Sequence, residues 1–442
     1  MPSAEASSNF AFMARALRHR NYRLFFIGQG TSLIGTWMTR VATGWLVYRL
    51  TGSAFLLGMV SFAGQLPTLL VSPFAGVIID RSSRHRVLIL TQVLAMIQSA
   101  LLAILALTHT IGVASVAALQ AFQGFINAFD TPARQSFVVE MVDAREDLPN
   151  AIALNSSLVN AARLVGPSIA GVVIAAVGEG ACFAIDAASY LAVIASLQLM
   201  RVRPRPPQEG RRGRMSEELK EGFRYAAEFA PVRAVLLMVA LLSITSMPQT
   251  ALMPVFASNV LRGGPHTLGF LMAASGVGAV GGALWLAARR TVLGLGRVIL
   301  VGAVSFGVGQ LLFAFSRWLW ASLLVLPITG AALMVQLASS NTVLQTLVPE
   351  DKRGRVMSLY TMAFLGMSPI GSLVAGWLGS ALGAPLAVAA CGGTTLVGAA
   401  WFFLELPRLR RMVQPVYVKL GILPEIAEGL GASAELSQPP EK

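Results

Sequence analysis

Apolar residues along this chain gather into runs whose lengths decide its class. A lipid-facing helix needs about 20 mostly apolar residues, whereas runs of about 10–14 would fit a buried helix of a soluble protein. Long runs cover 24–48, 56–79, 87–108, 111–129, 151–177, 181–200, 235–257, 268–288, 298–315, 318–342, 358–382 and 385–404, twelve in all. The first is the most ambiguous, because Arg40 sits inside it.

The longest polar break runs from Arg201 to about Pro231. It opens with RVRPRPPQEGRRGR and continues as Met215–Glu228, which has helical spacing and mixed charge. Pro-rich, charged sequence cannot cross a bilayer, so this stretch reads as a flexible linker followed by a short surface helix. It divides six runs from six. Related patterns recur on its two sides. The stretch from Gln135 to Gly171 is a polar loop with acids and Arg, then a helix containing Asn155-Ser156-Ser157 and Gly166-Pro167; Gln345 to Gly376 is a polar loop with Glu350, Asp351 and Arg355, then a helix containing Ser368-Pro369. The pattern predicts an all-α integral membrane protein of 12 transmembrane helices, built as two pseudo-symmetric six-helix bundles. Its expected parts are a cytoplasmic N-terminal segment 1–20, a first bundle 21–200, the linker 201–231, a second bundle 232–405 and a solvated cytoplasmic tail 406–442. Repeated bundles of this kind place a substrate site at their interface near the bilayer midplane.

Composition agrees with a lipid solvent: 55% of the 442 residues are hydrophobic, 12% are charged and the mean hydropathy is +0.67. Soluble domains carry about 25% charged residues. The formal net charge of +13 raises nucleic acid as a partner, but the basic residues sit in alternate loops. Arg15 to Arg23, then Arg81, Arg84 and Arg86, then Arg134 and Arg145, Arg201 to Arg233, Arg289 to Arg297, Lys352 to Arg355, and Arg408 onward share one side; the other receives Arg49, Arg262 and Arg317. That asymmetry puts both termini in the cytoplasm and explains the charge without nucleic acid. No small-residue cleavage site closes a short apolar core near the start, so no signal peptide is expected. Cys182 and Cys391 fall in different halves and read as small buried residues, neither a disulfide nor a metal site.

The loop after the second run reads Gly76-x-x-x-Asp80-Arg81-x-x-Arg84-x-Arg86. At this position in a twelve-helix chain it resembles the signature loop of the major facilitator superfamily, with Ser83 where many relatives have glycine. The resemblance implies a cytoplasmic gate of Gly76, Asp80, Arg81, Arg84 and Asp130. Gly76 permits close helix approach, Asp80 faces a helix N-terminus, and Arg84 pairs with Asp130; the alternative is that these charges only set topology. Helix five carries Gly166-Pro167 and Gly171, which resemble the Gly-Pro motif of the superfamily's exporters; plain helix packing is the rival explanation. Gly35-Thr-Trp37-Met38, Trp45 to Ser53, Asp130-Thr-Pro132-Ala-Arg134-Gln135 and Leu148 to Ser156 resemble a narrower branch, the bacterial exporters related to the enterobactin exporter, called transmembrane secretion effectors. The second half matches more diffusely, through Pro349-Glu350, Arg353-Gly354-Arg355 and Ser368-Pro369-Ile-Gly371. The branch is too broad to name a cargo.

An ionisable side chain within a span costs on the order of 3 kcal/mol, so it asks for a partner or a role. Three occur: Arg40, Arg163 and Asp186. At about 1.5 Å per residue Arg40 lies roughly 24 Å along its helix, near the depth of Asp186. The matching depth makes the two an expected ion pair or proton site. Arg163 has no acid at its depth and precedes the Gly-Pro step, so it is expected to face water and attract an anionic or strongly polar group. With Trp37 and the amides Gln29, Gln120, Gln123, Asn127, Asn160, Gln249 and Gln336, Arg40 and Arg163 make up the expected substrate cavity. Relatives that antiport protons often have an Arg in helix four before Gln-Gly, where this chain has Gln120 with Gln123-Gly124 following. Protons as coupling ion are therefore implied by the resemblance and opposed by the residues.

Gly276-x-Gly278-x-x-Gly281 fits a dinucleotide fingerprint only formally, since no strand precedes it and no acid follows at the right distance. The histidines His19, His85, His109 and His266 are scattered at span ends, and no GxxxxGK[ST] loop is present. No enzyme activity, metal or cofactor is expected. The expected function is secondary active export of small amphipathic molecules, siderophore-like or drug-like and preferably anionic or neutral, by alternating access. The protein would act as a monomer in a bacterial inner membrane. A broad multidrug or lipid exporter is the rival within transport, and a receptor or assembly protein with a transporter shape is the rival outside it.

Overall fold

The computed structural model describes residues 15–80, 82–142, 144–201, 215–289 and 291–419. The segments 1–14, 202–214 and 420–442, together with Arg81 and the Asp80 side chain, lie outside the described residues, so the expected roles of Asp80, Arg81 and the Pro/Arg part of the linker belong there too.

Among the described residues all regular structure is helical. The first half consists of α1 (Arg20–Thr51), α2 (Ala54–Asp80), α3 (Arg84–Leu107), α4 (Val113–Met141), α5 (Leu148–Val177) and α6 (Glu179–Leu199). An amphipathic helix α7 (Met215–Glu228) follows. The second half consists of α8 (Ala230–Ala251), α9 (Pro265–Ala287), α10 (Leu295–Phe315), α11 (Leu319–Leu347), the pair α12 (Glu350–Thr361) and α13 (Met367–Leu382), and α14 (Ala384–Lys419). A π turn at Phe256–Val260 extends α8, and another at Met362–Gly366 joins α12 to α13. The last helix runs past Pro407 into what reads as a solvated tail. Met412, Val413 and Val416 lie against the apolar core beneath them at helical spacing, which keeps this segment helical.

Ten of these segments are long and apolar enough to cross a membrane by length and composition. The two long helices outside that set are α1, with 32 residues, and α4, with 29. Both are rich in polar positions, among them Gln29, Thr36, Arg40, Gln120, Gln123 and Asn127.

The two halves repeat one packing scheme. In the first, α2 packs on α4, and α1 on both α5 and α6; in the second, α9 packs on α11, and α8 on both α13 and α14. Gly178 between α5 and α6 has φ of 86°, and Gly383 at the corresponding turn between α13 and α14 has φ of 83°. These left-handed values suit glycine, which has no Cβ to clash. The halves meet through α5 on α9 and α2 on α13, again related by the repeat.

The buried apolar side chains show how the halves come apart. At the end of the bundle away from the termini, one cluster joins them, with Met38, Val47 and Leu57 beside Leu252, Phe256 and Leu268. At the end where α1 begins and α14 finishes, the buried side chains form two separate clusters. One lies wholly in the first half around Tyr22, Phe25, Ile79 and Phe137, the other in the second around Val235, Ile299, Leu344 and Phe402. Helices within a bilayer are held together chiefly by close packing of their side chains. A fold with one shared core at the far end and two cores at the terminal end is a chamber sealed on one side and open on the other.

Candidate substrate site

The closed end of the chamber is built on α1. Trp37 is seated by Gly166 of α5: a Cβ at Gly166 would lie 2.5 Å from the Trp37 Cβ and 3.0 Å from the Ile34 carbonyl, so only glycine lets the two helices meet there. Two guanidinium groups then address the same indole. The Arg40 Cζ lies 4.7 Å from its centroid and the Arg163 Cζ 5.7 Å. Contacts at this range are cation–π interactions, which strengthen when water is excluded. Arg40 is exposed to the chamber and Arg163 half-buried, and neither forms an ion pair among the described residues. Two cations are thus held beside one aromatic ring, without a carboxylate to neutralise them among the described residues.

The Gly-Pro motif also supports the seal between the halves. The Pro167 carbonyl faces Gly269 of α9, and Gly171 lies against Gly269, Pro265 and His266. The related contact joins Gly58 of α2 to Gly376 of α13. Beside it stands Gln65, absent from the set expected for the cavity. Its Nε2 donates to Ser372 Oγ at 3.0 Å and to the Ser61 carbonyl at 3.2 Å, and its Oε1 accepts from the Ser368 hydroxyl. A lone amide in the apolar run 56–79 was the available signal.

The expected pair of Arg40 and Asp186 is not formed. Asp186 Oδ2 accepts the hydroxyls of Thr39 and Ser99, each at 2.8 Å. Arg40 follows Thr39 directly and so points about 100° away around the helix, toward Trp37. The expected pair of Arg84 and Asp130 is likewise replaced. Arg84 Nη1 meets Glu140 at 2.7 Å, while Asp130 pairs with Arg134 one turn along α4 and accepts from Thr91 at 3.0 Å and Gln92 at 2.7 Å. An i,i+4 partner on the same helix needs no second element to be positioned. The close helix approach expected at Gly76 is not formed either: among the described residues nothing lies within 4 Å of where its Cβ would stand.

The amides divide. Gln120 Nε2 donates to Thr43 Oγ1 at 3.1 Å, tying α4 to α1 one turn beyond Arg40; Gln123 donates to Asn127 at 3.2 Å and Asn160 to the Ser156 carbonyl at 2.9 Å, all three partly accessible. Gln29, Gln249 and Gln336 are buried within their own halves, Gln249 bonded to Thr329 at 2.9 Å and Gln336 to Ser340 at 3.3 Å. The structure thus gathers Trp37, Arg40, Arg163 and Gly166 at one point, with Gln120 nearby, and leaves the second-half amides apart.

The fold is that of a multi-pass membrane transporter. Among solved structures the chain resembles the inward-facing bacterial homologue of the human lysosomal transporter Spinster, with a TM-score of 0.69 and 14% identity over 90% of this chain and 98% of that one. It also resembles a POT family transporter in complex with a thioalcohol-conjugated peptide, with a TM-score of 0.71 and 11% identity over 88% and 96% of the two chains. Residues 11–417 match the transmembrane secretion effector family, to which the chain belongs. Its relatives include the Staphyloferrin A transporter of Staphylococcus aureus, 27% identical over 80% of this chain and 88% of the relative. The multidrug efflux pump Tap of Mycolicibacterium fortuitum is 28% identical over 86% and 94% of the two. The enterobactin exporter EntS of Escherichia coli is 26% identical over 90% and 94%.

Proposed function

We propose that this protein is a secondary active exporter in a bacterial inner membrane, moving small amphipathic molecules with an anionic, aromatic or carboxylate-bearing face by alternating access. The observation that supports this most is the arrangement of Arg40 and Arg163 on Trp37, two unpaired cations and an apolar plane at the sealed end of the chamber. Polar α1 and α4 cross the membrane in this reading, giving twelve spans, and the open terminal end faces the cytoplasm with both termini. The fold as described is therefore the cargo-loading state, and a single copy suffices.

Cargo entering from the cytoplasm stacks on Trp37 while its anionic group takes the guanidinium hydrogen bonds that no carboxylate among the described residues fills. Closing the terminal end then requires the far-end seal to part, at Gly171 against Gly269 and Gly58 against Gly376. The relatives named for Staphyloferrin A and enterobactin support a siderophore-like cargo; the one named as a multidrug pump supports a wider range.

The test uses vesicles containing the purified protein with carboxyfluorescein, an aromatic anion, or rhodamine 6G, an aromatic cation, trapped on the terminal side. Protein-dependent transfer of carboxyfluorescein, reduced in Arg40→Ala and Arg163→Ala, is the expected result. Transfer of rhodamine 6G alone would overturn the anionic preference and leave a multidrug exporter.

A further inference from the structure

One charge in the membrane takes no part in the chamber. Asp186 of α6 is 1% exposed, at the junction of α1, α3 and α6. Its Oδ2 accepts Thr39 Oγ1 from α1 and Ser99 Oγ from α3, while its Oδ1 has no hydrogen-bond partner. No ion pair includes it among the described residues. The surrounding groups leave the charge unmatched. From α1 come Gly35 and Thr39, with Arg40 turned away onto Trp37; from α3 come neutral Ser99 and Gln98; α6 itself adds Cys182, Ser189 and Tyr190, the last also against Thr36.

The second half contains the corresponding junction, where α8, α10 and α14 meet. There Thr395 Oγ1 donates to Thr245 Oγ1 at 2.8 Å, and Gln310 Nε2 donates to the Thr245 carbonyl at 2.7 Å. Neutral groups therefore suffice to tie three helices together at this place in the fold. The acid in the first half adds an intramembrane expense of roughly 3 kcal/mol that the neutral junction avoids, which points to a role other than packing.

We propose that Asp186 takes up and releases a coupling proton, and that α1 links this event to the cargo site; the inference rests on the exporter reading above. A proton from water adds to the free Oδ1 and leaves a neutral carboxyl, and its return to water restores the carboxylate. Protonation turns Oδ1 from acceptor to donor and weakens the pull on the Thr39 and Ser99 hydroxyls. The link is short. Gly35 and Thr39 occupy one face of α1 and touch α6 so closely that a Cβ at Gly35 would lie 2.7 Å from Oδ1, while Trp37 and Arg40 occupy the opposite face. A shift of α1 at the acid is therefore a shift of the indole and guanidinium at the cargo.

Infrared difference spectra of the full chain in lipid nanodiscs, from mildly acid to mildly alkaline pH, test the site without cargo. A carboxylic-acid C=O band that disappears as the pH rises, and is missing in Asp186→Asn, is expected. A band that does not titrate, or that survives the substitution, overturns the proposal. Thr39→Val with Ser99→Ala keeps the acid and should shift the band's midpoint, which guards against a misfolded Asp186→Asn. In carboxyfluorescein vesicles, Asp186→Asn should keep downhill efflux and lose its acceleration by an imposed proton gradient. Equal acceleration in both proteins refutes the proton role. A titrating band with no carboxyfluorescein movement by the unaltered protein leaves the proton site standing and removes the anion-exporter reading.

Discussion

The two halves share a packing scheme and differ in what they place inside it. Every Asp, Glu, Lys or Arg within the apolar runs, namely Arg40, Arg163 and Asp186, belongs to the first half, and the six runs of the second contain none. The backbone differs in the opposite sense. Helices α1 and α5 are continuous over 32 and 30 residues, whereas their counterparts α8 and α12–α13 are interrupted by π turns at Phe256–Val260 and Met362–Gly366. Such turns are frequent at sites of function or movement. The repeat is thus uneven: the first half carries the charge on unbroken helices, and the second is neutral with helices broken by π turns.

If that division holds, substitutions in the two halves fail in different ways. Removing Arg40 or Arg163 by alanine should weaken binding of an anionic probe the most. A charge-assisted hydrogen bond contributes about 1.5–3 kcal/mol, roughly 10–100-fold in affinity. Titration calorimetry with carboxyfluorescein would measure it. Gln249→Ala and Gln336→Ala, in the second half, should leave that affinity within a few-fold and instead lower the melting temperature, since each breaks a buried bond. Comparable affinity losses in both halves would end the distinction.

Next in size are the helix contacts that seal the far end. Gly58→Val and Gly171→Val each force a branched side chain against backbone of the other half, an overpacking of about 1–3 kcal/mol. Export should fall while insertion, checked by membrane fractionation, is kept. Unchanged export would show that these crossings never tighten. The smallest effect is expected for Gln65→Leu. The two seals are alike in glycine but only the α2–α13 one has this amide, and a hydrogen bond between membrane helices is worth about 0.6 kcal/mol on average. A two- to threefold shift toward opening of the far end, read from spin-label distances, would fit that value.

Much of the fold was legible in run lengths, because a bilayer fixes how long an apolar helix must be. The twelve runs all became helices, but α1 and α4 are too polar to pass as spans by composition, because residues such as Gln29, Arg40, Gln120, Gln123 and Asn127 dilute the apolar signal. Depth along a helix was legible too, and proved insufficient. Arg40 and Asp186 were matched by depth, yet a single residue turns a helix by about 100°, and Thr39 takes the acid while Arg40 takes the indole. Asp130 was lost to Arg134 for a related reason: spacing along one helix is visible in sequence, but the choice between a near partner and a distant one depends on packing. Gln65 carries no mark of its own in the sequence, because only its position opposite Ser368 and Ser372 separates a latch from a tolerated amide.

A shared core at the far end and divided cores at the terminal end predict one rocking motion that closes the second as it opens the first. Electron–electron resonance distances would test it directly, with Cys182 and Cys391 replaced and spin labels placed at exposed Ser83 and Gly354 on the terminal side or Thr110 and Arg317 on the far side. Adding carboxyfluorescein should shorten the first distance and lengthen the second together. Distances that both stay fixed, or both move in the same sense, would contradict it.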